Sequence, residues 1–185
     1  NLVKVEKDKL NTLDKWIYSR LNDAALSIKK AMEEYHFNDA AQTVYSFFWN
    51  DFCDWYIEAS KEKLLHGSDE EKDLQVSILM DILESSMRLM HPFLSFITEE
   101  IYQKLPNHKG DVISAQYPIY NEADKDNEAD SSMESLQEVV RVVRAVRSSL
   151  GIGPEKKLKV VVRPSKDNPY ASFYKEEEKI LSSFM

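Results

Sequence analysis

Apolar residues recur at steps of three and four through Leu10, Leu13, Ile17, Leu21, Ala24, Ile28, Met32 and Tyr35, the mark of a helix that buries one face. Asn11 stands where an N-cap is needed and Asp14 puts a carboxylate in the first turn, so a helix is predicted from about Thr12 to Tyr35. Phe37 and Asn38 break the pattern. A second helix opens at Asn38 and Asp39 and runs to about Leu65, with Gly67 as its expected left-handed stop. Ser68 and Glu71 have the spacing of a capping box. The segment that follows carries the stripe Leu74, Ile78, Ile82, Leu89, Phe93, Ile97, Ile101 and Leu105. Pro92 interrupts it, removing the bond to the Arg88 carbonyl and predicting a kink or break around His91 and Pro92. Three long amphipathic segments joined by short links predict an up-down-up bundle.

The pattern changes after Leu105. Residues 106–110 read as a loop and Asp111 to Pro118 as a short extended segment. The run NEADKDNEAD, residues 121–130, carries five acids and no apolar residue larger than alanine, the composition of a solvated, mobile linker. Ser131 and Glu134 form another capping box, and the helix behind them places Leu136, Val139, Val140, Val143, Val146 and Leu150 inward and ends at Gly151. Arg147 borders that stripe, Arg144 lies further out and Arg141 nearly opposite. Leu158 to Val162, LKVVV, has the β-branched content of a buried strand closed by Pro164, and Tyr170 begins a further helix. The expected fold is mainly α. Residues 1–120 form an antiparallel helix bundle, residues 121–131 an acidic linker, and residues 132–185 a basic helix with a strand and a truncated helix, a small partial α/β appendage.

Seven aromatic residues crowd into Tyr45 to Tyr56: Tyr45, Phe47, Phe48, Trp49, Phe52, Trp55 and Tyr56. At 100° per residue they spread over most of the circumference, so this helix is contacted on several sides. Large aromatics at such density read first as core, with a minority left to stack on a ligand.

Composition adds limits. A chain of 185 residues, 43% hydrophobic and 30% charged, with four glycines and six prolines, is a soluble helical protein with one main core. No apolar run reaches the roughly 20 residues of a membrane span, and the N-terminal residues lack a signal-peptide core. One cysteine, Cys53, excludes an internal disulfide and fits the cytoplasm, where it reads as an inert thiol on a core helix. The net charge of −8 argues against a nucleic-acid partner until its distribution is considered. From Arg141 to Arg163 seven cations face one anion, a local +6 that leaves −14 for the rest of the chain. An acidic scaffold with a basic end still presents phosphate-binding surface.

Catalytic chemistry finds no foothold in these residues. His36, His66, His91 and His108 lack metal-ligand spacing and read as surface or turn histidines. Gly151 and Gly153 make only G-x-G, after a helix rather than a strand. Glu99 and Glu100 are adjacent, about 100° apart on a helix, which does not make an acid/base pair.

The segments DKWIYSRLN (14–22), FNDAAQTVYSFFWNDFCDWYIEASK (37–61), HPFLSFITEEIYQKL (91–105) and VVRVVRAVRSSLGIGPEKKLKVVV (139–162) occur in the order of one family. The chain resembles the anticodon-binding region of valyl-tRNA synthetase, a class I aminoacyl-tRNA synthetase, over nearly its whole length. FFWNDFCDWYIE is the specific part, since isoleucyl and leucyl relatives share the bundle but not this wording. The resemblance implies a helical bundle that binds the anticodon arm of valine tRNA. It also implies a parent valine–tRNA ligase whose ATP- and Mg-dependent aminoacylation and editing sites lie outside this chain, because no HIGH-like or KMSKS-like sequence is present. The fragment itself is expected to need no cofactor and to bind neither DNA nor membrane. The parent is expected to be monomeric. A preceding family helix is cut away, so self-association through the uncovered surface is a risk.

Binding splayed anticodon bases takes stacking faces, polar groups for base edges and cations for phosphates. Trp55 and Tyr56, near the end of the second helix, are the aromatic candidates, with core packing as the alternative reading. Arg20 is a candidate against a salt bridge to Asp23 or Asp14, and Arg88 against a pair with Glu84. Arg141 and Arg144 point outward, against a solvated pair between Glu138 and Arg141. Lys156 and Lys157 most resemble phosphate contacts, with Lys61 and Lys63 extending the possibility. The rival to tRNA recognition is a non-catalytic helical protein-protein interaction module using the acidic and aromatic faces.

Overall fold

Asn11 begins the first helix as its sequence asks: its Oδ1 accepts the Asp14 amide at 2.8 Å while the Asp14 carboxylate accepts the Asn11 amide at 3.2 Å. This reciprocal box opens α1 (Thr12–Glu33) in the computed structural model, which describes residues 2–106, 108–153 and 155–184. The helix closes through Tyr35. That residue sits at φ 60 where a glycine is usual, with the Tyr35 amide bonded to the Met32 carbonyl at 3.2 Å and the His36 amide to the Ala31 carbonyl at 2.7 Å.

The second predicted helix is one unbroken path of three parts: α2 (Phe37–Tyr45), a π-helical stretch (Ser46–Ile57) and α3 (Glu58–His66). Twelve residues of π-helix are unusual, since i→i+5 bonding mostly occurs as single-turn bulges. Gly67, expected to be left-handed, is extended at φ −71 and ψ 164. The reason for a glycine there is proximity. A Cβ would stand 2.5 Å from the Lys63 carbonyl oxygen, which accepts the Gly67 amide at 2.9 Å.

Ser68 and Glu71 form their capping box and open α4 (Asp69–Met90), and Pro92 separates it from α5 (Ser95–Tyr102), the break its ring demands. The segment read as extended after Asp111 is instead a 3₁₀ turn, Val112–Ser114. Val112 drops into a cluster with Met87, Tyr102 and Leu105, so the turn serves burial rather than strand pairing.

Two compact units make up the chain, Asn1–Ala129 and Asp130–Met185. In the first, α1 packs on α2, on the π stretch and on α4. Leu13, Trp16, Ile17 and Ile28 of α1 share a core with Val44, Phe47, Phe52 and Tyr56 of the aromatic path and with Ile78 and Ile82 of α4. The acidic run contributes to this unit too. Residues 121–126, read as a solvated linker, form a strap against α1: Asn22 Nδ2 donates to the Asn121 carbonyl at 2.9 Å and the Asn121 amide returns a bond to Asn22 Oδ1 at 2.8 Å. Lys125 meets Asp23 at 2.6 Å, Lys7 meets Asp124, and the Asp126 amide donates to Ser19 Oγ at 3.2 Å. Composition misread the segment because its charges find specific partners.

The next helix, α6 (Asn127–Ser149), therefore begins before Ser131, with Asp126 accepting the Ala129 amide at 2.9 Å in the manner of an N-cap. Leu136 and Val140 are buried as their spacing predicts, but Val146 and Leu150 are exposed, so the inward stripe stops short of the C-terminus. Gly151 ends the helix at φ 63. In the second unit α7 (Ala171–Glu176) and α8 (Glu178–Phe184) fasten to α6 through the Tyr174 and Ser135 hydroxyls and a bond from Arg144 Nε to the Phe184 carbonyl at 3.0 Å.

The expected α/β appendage is corrected. No strand is present among the described residues, and Leu158 to Val162 forms neither strand nor helix and is exposed. β-branched residues favour a pleated, half-buried surface, and no neighbouring ladder supplies one.

Candidate nucleic-acid interface

The aromatic path divides its rings by depth. Phe47, Phe52 and Tyr56 are buried, while Tyr45 and Trp49 are 57% and 52% exposed. The inner rings form a file along the helix, Phe48 to Phe52 at 5.8 Å between centroids and Phe52 to Tyr56 at 6.4 Å. The outer two form a separate pair, centroids 6.4 Å apart and planes within 10° of parallel, an offset-stacked geometry.

Tyr56, a sequence candidate for stacking on RNA, belongs to the inner file at 1% exposure. Its hydroxyl donates to Asp14 Oδ1 at 2.6 Å and accepts from Gln75 Nε2 at 2.8 Å. Burial, with the Asp14 carboxylate beside it, pushes the phenol well above its ordinary range, so it stays a neutral donor. Gln75 also donates to Ser60 Oγ at 3.0 Å, and Lys63 Nζ reaches Asp14 Oδ2 at 3.0 Å. No face of Tyr56 is open to a base. Trp55 remains half-buried.

Arg20 stays near the surface and is held by carboxylates, its Nε on Asp51 Oδ2 at 2.9 Å and its Nη1 at 3.9 Å from Asp23. Beside it an open cleft of about 460 Å³ lies between α1 and the α2 path, lined by Arg20, Ser27, Gln42, Thr43 and Ser46 among others. Tyr45 follows Gln42 by three residues on α2, the spacing of side-by-side neighbours on an α-helix, and Trp49 stacks on Tyr45, so the outer pair stands next to Gln42 on one wall of this cleft without lining it.

Arg88 has a different duty. Its Nε and Nη2 bind Glu84 at 3.0 and 2.6 Å, Nη2 also reaches Ser85 Oγ at 3.1 Å, and Nη1 donates to the Gln116 carbonyl at 2.6 Å. These bonds clasp the residues after the Val112–Ser114 turn onto α4. The geometry is that of a structural bracket.

The other candidates belong to the second unit. Arg141 makes the pair with Glu138, 2.7 Å long and well exposed. Arg144 carries the Phe184 bond. Arg147 donates to the carbonyls of Gly153 at 2.6 Å and Lys156 at 3.0 Å, folding the loop back onto the helix end. Lys156 and Lys157 are exposed on that loop. The structure thus brings Arg20 and Gln42 together on one cleft in the first unit, with Tyr45 and Trp49 beside Gln42, while Arg141, Arg144, Lys156 and Lys157 all belong to the second unit.

Tyr45, Trp49 and Gln42 were missed as candidates. A wheel drawn at the α-helical angle does not sort rings on a π-helical stretch, where each residue turns through less. Elsewhere, among the described residues, no group of three or more His, Cys, Asp or Glu side chains gathers as a metal site, and no helix is long and apolar enough to cross a membrane.

Residues 14–162 match the family described as the anticodon-binding domain of tRNA ligase, and the chain belongs to that family. Among its relatives is a valine–tRNA ligase of Treponema denticola, 44% identical over 168 residues that cover 86% of this chain and 18% of that protein. The valine–tRNA ligase of Thermotoga maritima is 41% identical over 160 residues, covering 86% of this chain and 18% of the relative. That of Fusobacterium nucleatum is 39% identical over 178 residues, covering 94% and 20%. The chain therefore spans about a fifth of the length of these relatives.

Proposed function

We propose that this chain is the part of a valine–tRNA ligase that holds the anticodon arm of valine tRNA, supplying affinity and identity to a reaction carried out elsewhere in the enzyme. The match to the anticodon-binding family over residues 14–162 carries the reading. The exposed Tyr45–Trp49 pair and the neighbouring cleft, which offers the Gln42 amide and the Arg20 guanidinium, fit it physically, because such groups suit unpaired bases and their phosphates. Arg141, Arg144, Lys156 and Lys157 supply a second, phosphate-directed contact. Activation of valine by ATP with Mg belongs to parts of the ligase outside these residues, and the setting is the cytoplasm of the cell that makes it.

Titrating the chain with valine tRNA and with a tRNA of another anticodon, at two salt concentrations, tests this. Preference for valine tRNA with affinity falling steeply as salt rises is the expected result. Equal, salt-insensitive binding of both, or none of either, overturns it.

One observation favours a second reading as a protein-interaction module. Leu94, Phe96, Ile97 and Ile113 are exposed on and near α5, Phe96 at 94%. That reading predicts a protein partner and indifference to tRNA in the same titration.

A further inference from the structure

Trp49 is the larger of the two exposed π-faces on the aromatic path, 52% exposed, and it stacks on the other. Tyr45 lies parallel to it, and the two side chains spring from consecutive turns of one continuous helix. An indole held this way has already lost most of its rotamer freedom, so a partner stacking on it meets a small entropic cost. The polar groups nearest the pair are not those of a packed core. Gln42 is exposed with an amide that both donates and accepts, the pattern that reads a base edge. Thr43 and Ser46 line the same cleft, and Arg20 stands across it.

Arg20 is tethered rather than consumed. Its carboxylate partners Asp51 and Asp23 hold it at the cleft while its side chain stays 41% exposed. A cation placed this way meets a phosphate without moving far, and the flanking carboxylates repel phosphates that are not aligned with it.

We propose that Trp49, backed by Tyr45, is the stacking platform for one unpaired base of an anticodon loop, with Gln42 facing the base edge and Arg20 the adjoining phosphate. The inference rests on the function proposed above and adds a residue-level site to it. The site takes a single-stranded nucleotide and has no use for a duplex, whose bases are already stacked.

The test compares three RNAs against the native chain and its variants: the anticodon stem-loop of valine tRNA, the same stem-loop with abasic loop positions, and a stem closed by a non-nucleotide linker. Trp49→Ala is expected to bind the intact stem-loop roughly 5- to 150-fold more weakly, the range for losing one stacked base, and Trp49→Phe to recover most of the loss. Quenching of tryptophan emission on binding, present in the native chain, should vanish in Trp49→Phe and persist in Trp55→Phe, a comparison needed because Trp16 is buried but Trp55 is only half-buried. Gln42→Ala should reduce the preference for the intact over the abasic loop. Circular dichroism checks that each variant is folded. If the native chain prefers the intact loop and Trp49→Ala does so equally well, the pair is a packing face and this site is wrong while the function stands. If the native chain ignores the loop altogether, the function and the site fall together.

Discussion

The Tyr56 hydroxyl donates to the Asp14 carboxylate at 2.6 Å in the interior of the bundle. One bond thus joins the first turn of α1 to the end of the aromatic path, and Gln75 and Lys63 extend it to α4 and α3. The most polar part of the core is also where four segments of the chain meet.

Tyr56→Phe removes the hydroxyl and leaves both Asp14 and Gln75 short of a buried partner, at a cost of about 1–3 kcal/mol. Asp14→Ala should cost more, about 3–5 kcal/mol, since it strands Lys63 and opens the capping box as well. Urea denaturation measures both. RNA affinity of folded Tyr56→Phe should match the native chain, and a large loss would return Tyr56 to the binding site.

Alkaline pH should loosen the bundle. Tyr56 and Tyr18 both hold their protons more tightly when folded, each chiefly because burial disfavours the phenolate, with Asp14 and Asp81 respectively adding to it. A folded-state pKa raised above the unfolded value gives stability that is intact below about pH 10 and lost as pH rises beyond it, at roughly 1.4 kcal/mol per pH unit for each group. Tyr56→Phe and Tyr18→Phe should each flatten the fall in stability measured above pH 10. An unchanged slope in both counts against the buried hydroxyls.

At Gly67 the obstacle to a side chain is the Lys63 carbonyl. Gly67→Ala should therefore destabilise by about 1–3 kcal/mol through overpacking, although its backbone is one that any residue adopts. Gly151→Ala should cost about 1–2 kcal/mol for a different reason, its positive φ, with open space around the new methyl. Thermal melts of the pair separate a steric from a conformational requirement.

Arg141→Ala should leave stability within about 0.5 kcal/mol, as its exposed pair with Glu138 contributes little. Combined with Arg144→Ala it should weaken tRNA binding across all salt concentrations and reduce the slope of log affinity against log salt by about two. Binding unchanged in strength and slope would make α6 a solvated face.

Arg88→Ala and Arg88→Lys should behave alike in RNA binding and unlike in stability. Lysine keeps the charge near Glu84 but not the planar fork that also reaches the Gln116 carbonyl, so it should restore only part of a loss of about 1–3 kcal/mol. A tRNA-binding defect in folded Arg88→Ala would overturn the bracket.

What was legible in the sequence was local. Asn11 and Ser68 cap helices because their side chains satisfy backbone amides three residues away, and Pro92 breaks one because its ring has no amide to give. What was illegible depended on partners distant in the chain. LKVVV reads as a strand, yet a strand exists only where another lies beside it. The acidic run reads as solvent-loving, yet Asn22, Asp23 and Ser19, about a hundred residues earlier, hold it. Within the site, Arg20 was visible and its ion pairs foreseen in part. Trp49 was hidden among seven rings until the π-helical turn separated those facing in from those facing out.

The strap has one more consequence, for the topology of the first unit. Lys7 and Asp124 pair, so residues 117 positions apart along the chain, one before the first long helix and one after the last helix of the first unit's core, are fastened to each other as well as to α1. The strap therefore closes a loop of the chain around the bundle without any covalent cross-link.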